Sequence, residues 1–316
     1  MTENATADDV VIAVLTYRRP QDIALALPRL VEQAAKAETA RPASVLVIDN
    51  DPEASARQTV QRIADLSGPE VRYVHEPRPG IAAARNRALR EAGDARLLVF
   101  IDDDEVPSEN WLNHLLRLYR STGAAAVVGP VISEFAADPS PWVSAGDFFR
   151  RRRLPTGTEV DVAATNNLLL DMQWIRNLEL EFDERFGITG GSDTLFTRSL
   201  VSQGGRMVWC DEAMVVDMVP PGRLTRDWVL RRALRTGNCT SRVHLELARD
   251  GIHTLAVRAR LLGPGSVRLA GGTVRYLTGK LTRSLPHEAK GLRTAARGLG
   301  MVSGALGYVY AEYRRK

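Results

Sequence analysis

Apolar and polar positions along the first hundred residues alternate between two kinds of segment. Val10–Leu15, Ser44–Ile48, Val71–His75 and Leu97–Ile101 are short runs rich in Val, Ile and Leu, bounded by polar residues. Such runs read as buried strands. Between them lie longer, helix-like stretches: Pro20–Ala37, Glu53–Leu66 and Ile81–Ala92. Pro20 suits a first helical position, and Gly80 precedes the third stretch. The βαβαβαβ order predicts a parallel sheet with helices on both faces. Polar residues fall at three strand ends, Thr16-Tyr17-Arg18, Asp49-Asn50-Asp51 and Asp102-Asp103-Asp104. Open α/β sheets bind ligands just outside the carboxyl ends of their strands, so one cleft lined by these three segments is the default site.

The fourth of these runs carries the most chemistry. Leu97–Ile101 delivers Asp102, Asp103, Asp104 and Glu105 at its carboxyl end. Packed carboxylates repel one another, so a positive group belongs among them. A hard divalent cation, Mg²⁺ or Mn²⁺, prefers such oxygen ligands and commonly bridges to phosphates. The alternative is a solvated acidic turn ahead of a helix starting near Ser108. No G-x-G-x-x-G follows the first strand and no G-x-x-x-x-G-K occurs, which argues against dinucleotide and P-loop sites.

Composition narrows the class. A chain of 316 residues with 44% apolar and 25% charged content is an ordinary globular protein with one large core or two smaller ones. Its two cysteines, Cys210 and Cys239, suggest no disulfide framework and fit a reducing compartment. The acidic start is not a signal peptide, and no run of eighteen apolar residues predicts a spanning helix. The expected location is therefore cytoplasmic. The net charge of +4 conceals an asymmetry, because nineteen Lys/Arg face only five Asp/Glu from Val219 onward. That points to an anionic partner for the tail. Nucleic acid is not expected, since no recognisable nucleic-acid motif occurs. From Leu255 the basic residues Arg258, Arg260, Arg268, Arg275 and Lys280 interleave with apolar ones, predicting amphipathic helices that either lie peripherally on the anionic inner face of the plasma membrane or pack on the parent domain.

Taken in order, V-L-T-Y-R-R-P, V-I-D-N-D, R-P-G-I-A-A-A-R-N-R-A-L, F-I-D-D-D-E and, at Thr189–Phe196, T-G-G-S-D-T-L-F resemble the motifs of family-2 glycosyltransferases. The resemblance covers about residues 10 to 240, and Trp209–Trp228 looks closest to bacterial exopolysaccharide-type members. It implies an α/β GT-A fold, a Rossmann-like mixed sheet flanked by helices, with a C-terminal helical extension. The expected division is a disordered start at 1–9, a catalytic domain at 10–250 split near 125 into nucleotide-binding and acceptor-binding halves, and a basic helical extension at 251–316.

The resemblance also assigns roles. Asp49 accepts a hydrogen bond from a base such as uracil, or else closes an Asx turn. Thr16, Tyr17 and Arg18 flank that base, with Tyr17 packing on it. Arg85 contacts the diphosphate, or is a solvated surface arginine. Asp102 and Asp104 form the family's D-x-D pair. Alternate strand residues share a side, so Asp102 addresses the ribose while Asp104 reaches the metal, and Asp103 assists. Asp193 is the general base, or a helix cap, after Gly191 and Ser192 at the sugar. Ser192 stands where relatives usually have Glu. Asp217 is a candidate third metal ligand. Arg223, Arg226 and Trp228 lead into a basic helix with Arg231, Arg232 and Arg235, which in relatives closes over the diphosphate. Asn166 and Asn167 suit sugar hydroxyls. Trp142, Phe148 and Phe149 stack on a sugar or belong to the core, and Arg150–Arg153 is a solvated loop or grips an anionic acceptor.

The function this implies is inverting, Mn²⁺- or Mg²⁺-dependent transfer of a sugar from a nucleotide-diphosphate sugar, a UDP-sugar above all, to a glycan or lipid-linked acceptor in polysaccharide biosynthesis. Self-association is open. The competing readings are a sugar-phosphate nucleotidyltransferase and a catalytically inactive carbohydrate-binding protein.

Overall fold

The computed structural model describes residues 9–65, 68–187, 189–248 and 251–310. The expected disordered start therefore lies outside it except for Asp9, as does Leu66 at the end of the second expected helix. The chain forms two compact units. One holds residues up to Ile132, Arg151–Glu184 and Ser192–Asp217; the other holds Ser133–Arg150, Arg185–Gly191 and Met218 onward.

The first unit is built on Val10–Thr16 (β1), Pro20–Ala35 (α1), Ser44–Asp49 (β2), Arg57–Ala64 (α2), Val71–His75 (β3), Ile81–Glu91 (α3), Leu97–Asp102 (β4), Glu105–Pro107 (β5), Trp111–Thr122 (α4) and Ala126–Val128 (β6). Val131–Phe135 (β7) runs on into the second unit, which begins with Pro141–Gly146 (α5). The chain then returns to the first unit with Asn167–Asp171 (β8), Met172–Asn177 (α6), Ser192–Ser202 (α7) and Met207–Trp209 (β9), and Val215–Val219 (β10) leads out again. Arg226–Glu246 (α8), Gly251–Leu281 (α9) and Leu285–Ala305 (α10) complete the second unit.

Seven strands form the central sheet, in the order β3-β2-β1-β4-β8-β6-β9. The four strands read from the amino-terminal pattern are parallel, in register from Val11 against Ser44 to Thr16 against Asp49, and from Val10 against Leu97 to Leu15 against Asp102. β8 is antiparallel to both β4 and β6, which makes the sheet mixed.

Side-chain alternation divides the core. Ile12, Val14, Val45, Val47, Val99 and Ile101 pack on one face with α1, α2 and α4. Val11, Ala13, Leu46, Ile48, Leu98 and Phe100 pack on the other with α3, α6 and α7. A strand buried on both faces must be apolar throughout, which is why these runs do not alternate. Their polar ends then project together at one edge. α3 approaches closely because Ala82, Ala83 and Ala84 are all buried. Gly80, at φ 122°, starts it in a conformation open to glycine, and its N–H donates to Asn50 Oδ1 at 3.2 Å. Asn50 Nδ2 in turn donates to the Glu76 and Arg78 carbonyls. The end of β2 thereby fixes the start of the helix that carries Arg85.

In the second unit α10 packs between α8 and α9. A β-carbon at Gly300 would lie 2.0 Å from the Leu234 carbonyl of α8, and one at Gly298 would lie 2.4 Å from the Leu269 amide of α9. Only glycine permits such backbone approach. The tail is helical as its pattern predicts, and its helices pack with α8. Among the described residues no helix is long and apolar enough to cross a membrane.

Candidate active site

All the strand-end carboxylates of the fourth run lie in the first unit. The chain leaves β4 at Asp102, turns, and returns as β5, which pairs antiparallel with β10 so that Glu105 stands directly opposite Asp217. Like charges opposite one another in a ladder are unfavourable. Asp217 thus lies at the centre of a five-residue strand. Burial pushes the Asp102 carboxyl up to about 7, with Arg85 opposing and Asp104, Asp103 and Asp217 adding to the rise. Burial likewise raises Asp103 to about 6, against the pull of Thr16 and Arg19. Glu105 is raised by burial and by Asp102. Carboxyls shifted this way close to one another are characteristic of functional sites.

Three guanidiniums answer the five carboxylates. Arg19 Nη1 donates to Asp103 Oδ1 at 3.1 Å and to Asp104 Oδ2 at 3.0 Å. Arg151 donates to Asp217 Oδ2. Arg85 acts on Asp102 and donates to Ser192 Oγ at 2.9 Å. Arg85 lies 5.4 Å over the Phe182 ring, which stacks on Phe196 of α7 and is held by reciprocal hydrogen bonds with Asn86. One side chain on α3 therefore joins the D-x-D segment to the start of α7, where the half-buried Asp193 is the second helical residue rather than the cap. Asp193 Oδ1 accepts from the Thr194 amide at 2.7 Å. Its expected neighbour Gly191 belongs to the second unit, at φ 98°. A β-carbon there would meet Phe186, Cys239 and Val243.

The charges fit a divalent cation. Every candidate ligand is a hard oxygen, the cluster keeps an excess of negative charge, and Asp103 Oδ2 is buried without a hydrogen-bond partner. Among the described residues no three acidic or His/Cys side chains converge into a cage. Mg²⁺ and Mn²⁺ are commonly held by one or two carboxylates with substrate phosphates, so a cage of protein ligands is not required for the cluster to fit one.

Several candidate residues find partners within the chain, Asp49 in the turn given as its alternative. Asp49 is fully buried. Its Oδ1 accepts from the Asp51 amide, and its Oδ2 from the Ala56 amide and the Tyr73 hydroxyl. In this arrangement it holds the turn, which is why α2 begins at Arg57 rather than near Glu53. Asn167, expected at the sugar, is instead 1% exposed. It accepts from Trp111 Nε1 and donates to the Pro130 and Ala213 carbonyls, which locks it into the core. Asn166 does reach the acidic cluster, donating to Glu105 at 2.6 Å. Thr16 is buried beside Asp103.

Arg18, at φ 55°, turns away to Asp51 and lies 5.4 Å over the Tyr17 ring. Arg19, not Arg18, faces the acidic triplet. Nothing in Arg18-Arg19-Pro20 distinguishes the two; the left-handed turn at Arg18 does. Within the four-arginine run, Arg151 holds Asp217, Arg152 lies over Trp209 and Arg153 is bidentate to Asp211, while the Arg150 side chain is 82% exposed. A recess of about 490 Å³ at the ends of β2 and β3 is lined by Pro52, Glu53, Ala54, Ser55, Arg57, Gln58 and His75. In the second unit Trp142 packs on Phe148, and Phe149 stacks on Trp228. Arg226 and Arg232 lie over Trp142 and Trp228. Both cysteines are thiols.

Residues 11–177 match the glycosyl transferase family 2 domain. The chain belongs to glycosyltransferase family 2. It is 34% identical over 300 residues to the succinoglycan biosynthesis protein ExoM of Rhizobium meliloti (strain 1021), covering 94% of this chain and 92% of that one. Among solved structures it resembles the Pyrobaculum calidifontis mannosyltransferase PcManGT in complex with GDP-Man and Mn²⁺, with a TM-score of 0.64, 17% identity, and coverage of 95% and 88%. Staphylococcus aureus TarS 1–349 in complex with UDP aligns with a TM-score of 0.54, 17% identity, and coverage of 96% and 93%. These likenesses carry the GT-A fold. This family-2 enzyme is a glycosyltransferase, which sets aside the nucleotidyltransferase reading.

Proposed function

We propose that this glycosyltransferase moves a sugar, with inversion, from a UDP-sugar to an acceptor hydroxyl in the assembly of an exopolysaccharide. The observation that carries the reading is Arg85, which ties the D-x-D segment to the start of the helix bearing Asp193. In this reading Arg85 orients the donor's phosphates, as charge-assisted guanidinium contacts do. Asp102 addresses the ribose. Thr16 and Tyr17 border the base, and the recess beside Asp51 is a place for it. Asp104, with Asp217 in reserve, would hold Mn²⁺ or Mg²⁺, whose charge would offset that of the departing diphosphate. Asp193 accepts the acceptor's proton as the hydroxyl attacks the anomeric carbon from the face opposite the diphosphate. Ser192 orients Arg85. Asn166 fixes Glu105 and borders the sugar.

The relatives support this from outside. ExoM is named for succinoglycan biosynthesis, and the aligned structures carry UDP, UDP-GlcNAc, or GDP-Man with Mn²⁺. Calorimetry with UDP and GDP, each with and without Mn²⁺, tests it. UDP is expected to bind tightly only with the metal. Preference for GDP would overturn the choice of nucleotide, and metal-independent binding would overturn the cation's role.

We also read the tail as a peripheral contact with anionic membrane, bringing a cytoplasmic enzyme to a lipid-linked acceptor. α9 contains no Asp or Glu. Its Val267, Val274, Leu277 and Leu281, spaced to share one face, are 72%, 64%, 52% and 86% exposed. Apolar stripes flanked by basic residues bind anionic bilayers. Sedimentation with anionic vesicles, weakening with salt, is the expected result. Equal sedimentation with neutral vesicles, or none, would refute it.

A further inference from the structure

The second unit holds an arginine cluster for which the transfer reaction has no use. Arg293 and Arg297 are four residues apart on α10, so they share one face. Both are half-buried. Burial lowers the pKa of each, and Arg293 and Arg268 lower that of Arg297 further, so the three cations feel one another. The packing agrees: α10 meets the backbone of Arg268 at Gly298, the residue after Arg297. Among the described residues neither Arg293 nor Arg297 has a carboxylate partner. Arg297 Nε is buried with no hydrogen bond. Arg268 spends one N–H on the Pro264 carbonyl.

The neighbouring aromatics extend the pattern. Arg293 lies 5.5 Å from the centre of the Phe148 ring, which packs 5.1 Å from the Trp142 ring. Trp142 Nε1 is a second buried donor without a partner. Desolvated cations left unpaired and orphaned N–H donors are both costly, and among the described residues the two occur together here.

We propose that Arg268, Arg293 and Arg297 form a binding site for a phosphate group, flanked by Phe148 and Trp142. A phosphate suits this set better than a carboxylate. It brings up to two negative charges and three acceptor oxygens, and guanidiniums engage it through paired N–H bonds. All of these residues belong to the second unit, and none to the carboxylate cluster of the first. The phosphate is either that of a soluble ligand or that of a lipid headgroup.

The test uses the full chain with UDP and Mg²⁺ present, so that the donor site is filled. Sodium phosphate, but not sodium acetate, is expected to raise the Tm, by about 2–4 °C at ten times its Kd. The Arg293→Gln/Arg297→Gln chain is expected to lose that rise while still binding UDP. In phosphate-free buffer the variant should melt no lower than the parent, because it sheds repulsion between unpaired cations. Arg297→Met serves the same purpose if the double variant folds poorly. A second arm compares vesicles of phosphatidylcholine with and without phosphatidic acid. Loss of sedimentation in the variant assigns the site to a lipid phosphate, and an unchanged sedimentation with a lost Tm response assigns it to a soluble one. A parent chain indifferent to both probes, or a variant that responds as the parent does, overturns the proposal. So does a variant destabilised equally with and without phosphate, which would make these arginines structural.

Discussion

The Asp193→Asn enzyme binds its nucleotide-sugar with an unchanged Kd and loses about 10²–10⁴-fold in kcat, the scale of general-base removal. That is the expected result, and it follows from where the side chain lies. Asp193 follows the α7 residue that Arg85 grips, and is half-buried at the second position of the helix. The described bonds of its side chain are local, to Thr194 alone. Asn keeps the size and can still accept from the Thr194 amide, so the helix start and the Arg85–Ser192 contact survive. What disappears is the ability to take a proton. Donor binding by calorimetry, set beside single-turnover transfer, separates the two effects. Weakened UDP binding with undiminished kcat would make Asp193 a structural element of the helix start.

Asp104→Asn and Arg19→Gln are expected to move metal affinity in opposite directions. Asp104 is the more exposed of the two carboxylates that Arg19 bridges, at 26% against 6%. Removing its charge takes away the cation's anchor, so metal-supported transfer falls about 10²-fold or more. The fold persists, because the residue sits in a surface turn. Arg19 is a positive group within the acidic triplet, 3.0–3.1 Å from two of its carboxylates. A cation arriving there competes with it. Arg19→Gln therefore leaves the triplet more negative, and Mn²⁺ binding in the absence of nucleotide tightens, by about 3–10-fold given the 41% exposure and solvent screening of the guanidinium. Titration with Mn²⁺ in nucleotide-free protein reads both. Weaker Mn²⁺ binding in Arg19→Gln would mean that Arg19 organises the site rather than competes for it, and full transfer by Asp104→Asn, or by EDTA-treated parent enzyme, would end the metal role.

Much of this enzyme was legible in its residues taken in order. Three of the four amino-terminal strands, β1, β2 and β4, are apolar through their middles because both their faces are covered, whereas β3 is a half-buried edge strand; a run of the first kind announces itself without knowledge of its partners. The polar residues at their ends are visible for the same reason, since they are where the covering stops. The parallel half of the sheet, the helices on both faces and the location of the acidic cluster follow from that local contrast, and the order of the motifs identifies the family. Helix starts were less exact. α2 begins at Arg57 because Asp49 caps the turn before it, and that requires Tyr73 and Ala56 to be in reach.

Tertiary structure alone decided which side chain meets which. Arg18 and Arg19 are chemically identical, and a single left-handed residue sends one to Asp51 and the other to the D-x-D segment. Asn166 and Asn167 are adjacent amides, yet Asn167, the first residue of β8, is buried among backbone carbonyls while Asn166, in the turn before the strand, reaches Glu105. Glu105 and Asp217 are more than a hundred residues apart and become neighbours only through the β5–β10 register. The uncompensated arginines of α10 are also invisible in sequence, where a basic helix reads as a solvated face. Local periodicity specifies which face of an element is buried. Only the packing of distant elements specifies whether a charge buried there finds its counter-ion within the chain or must take one from a ligand.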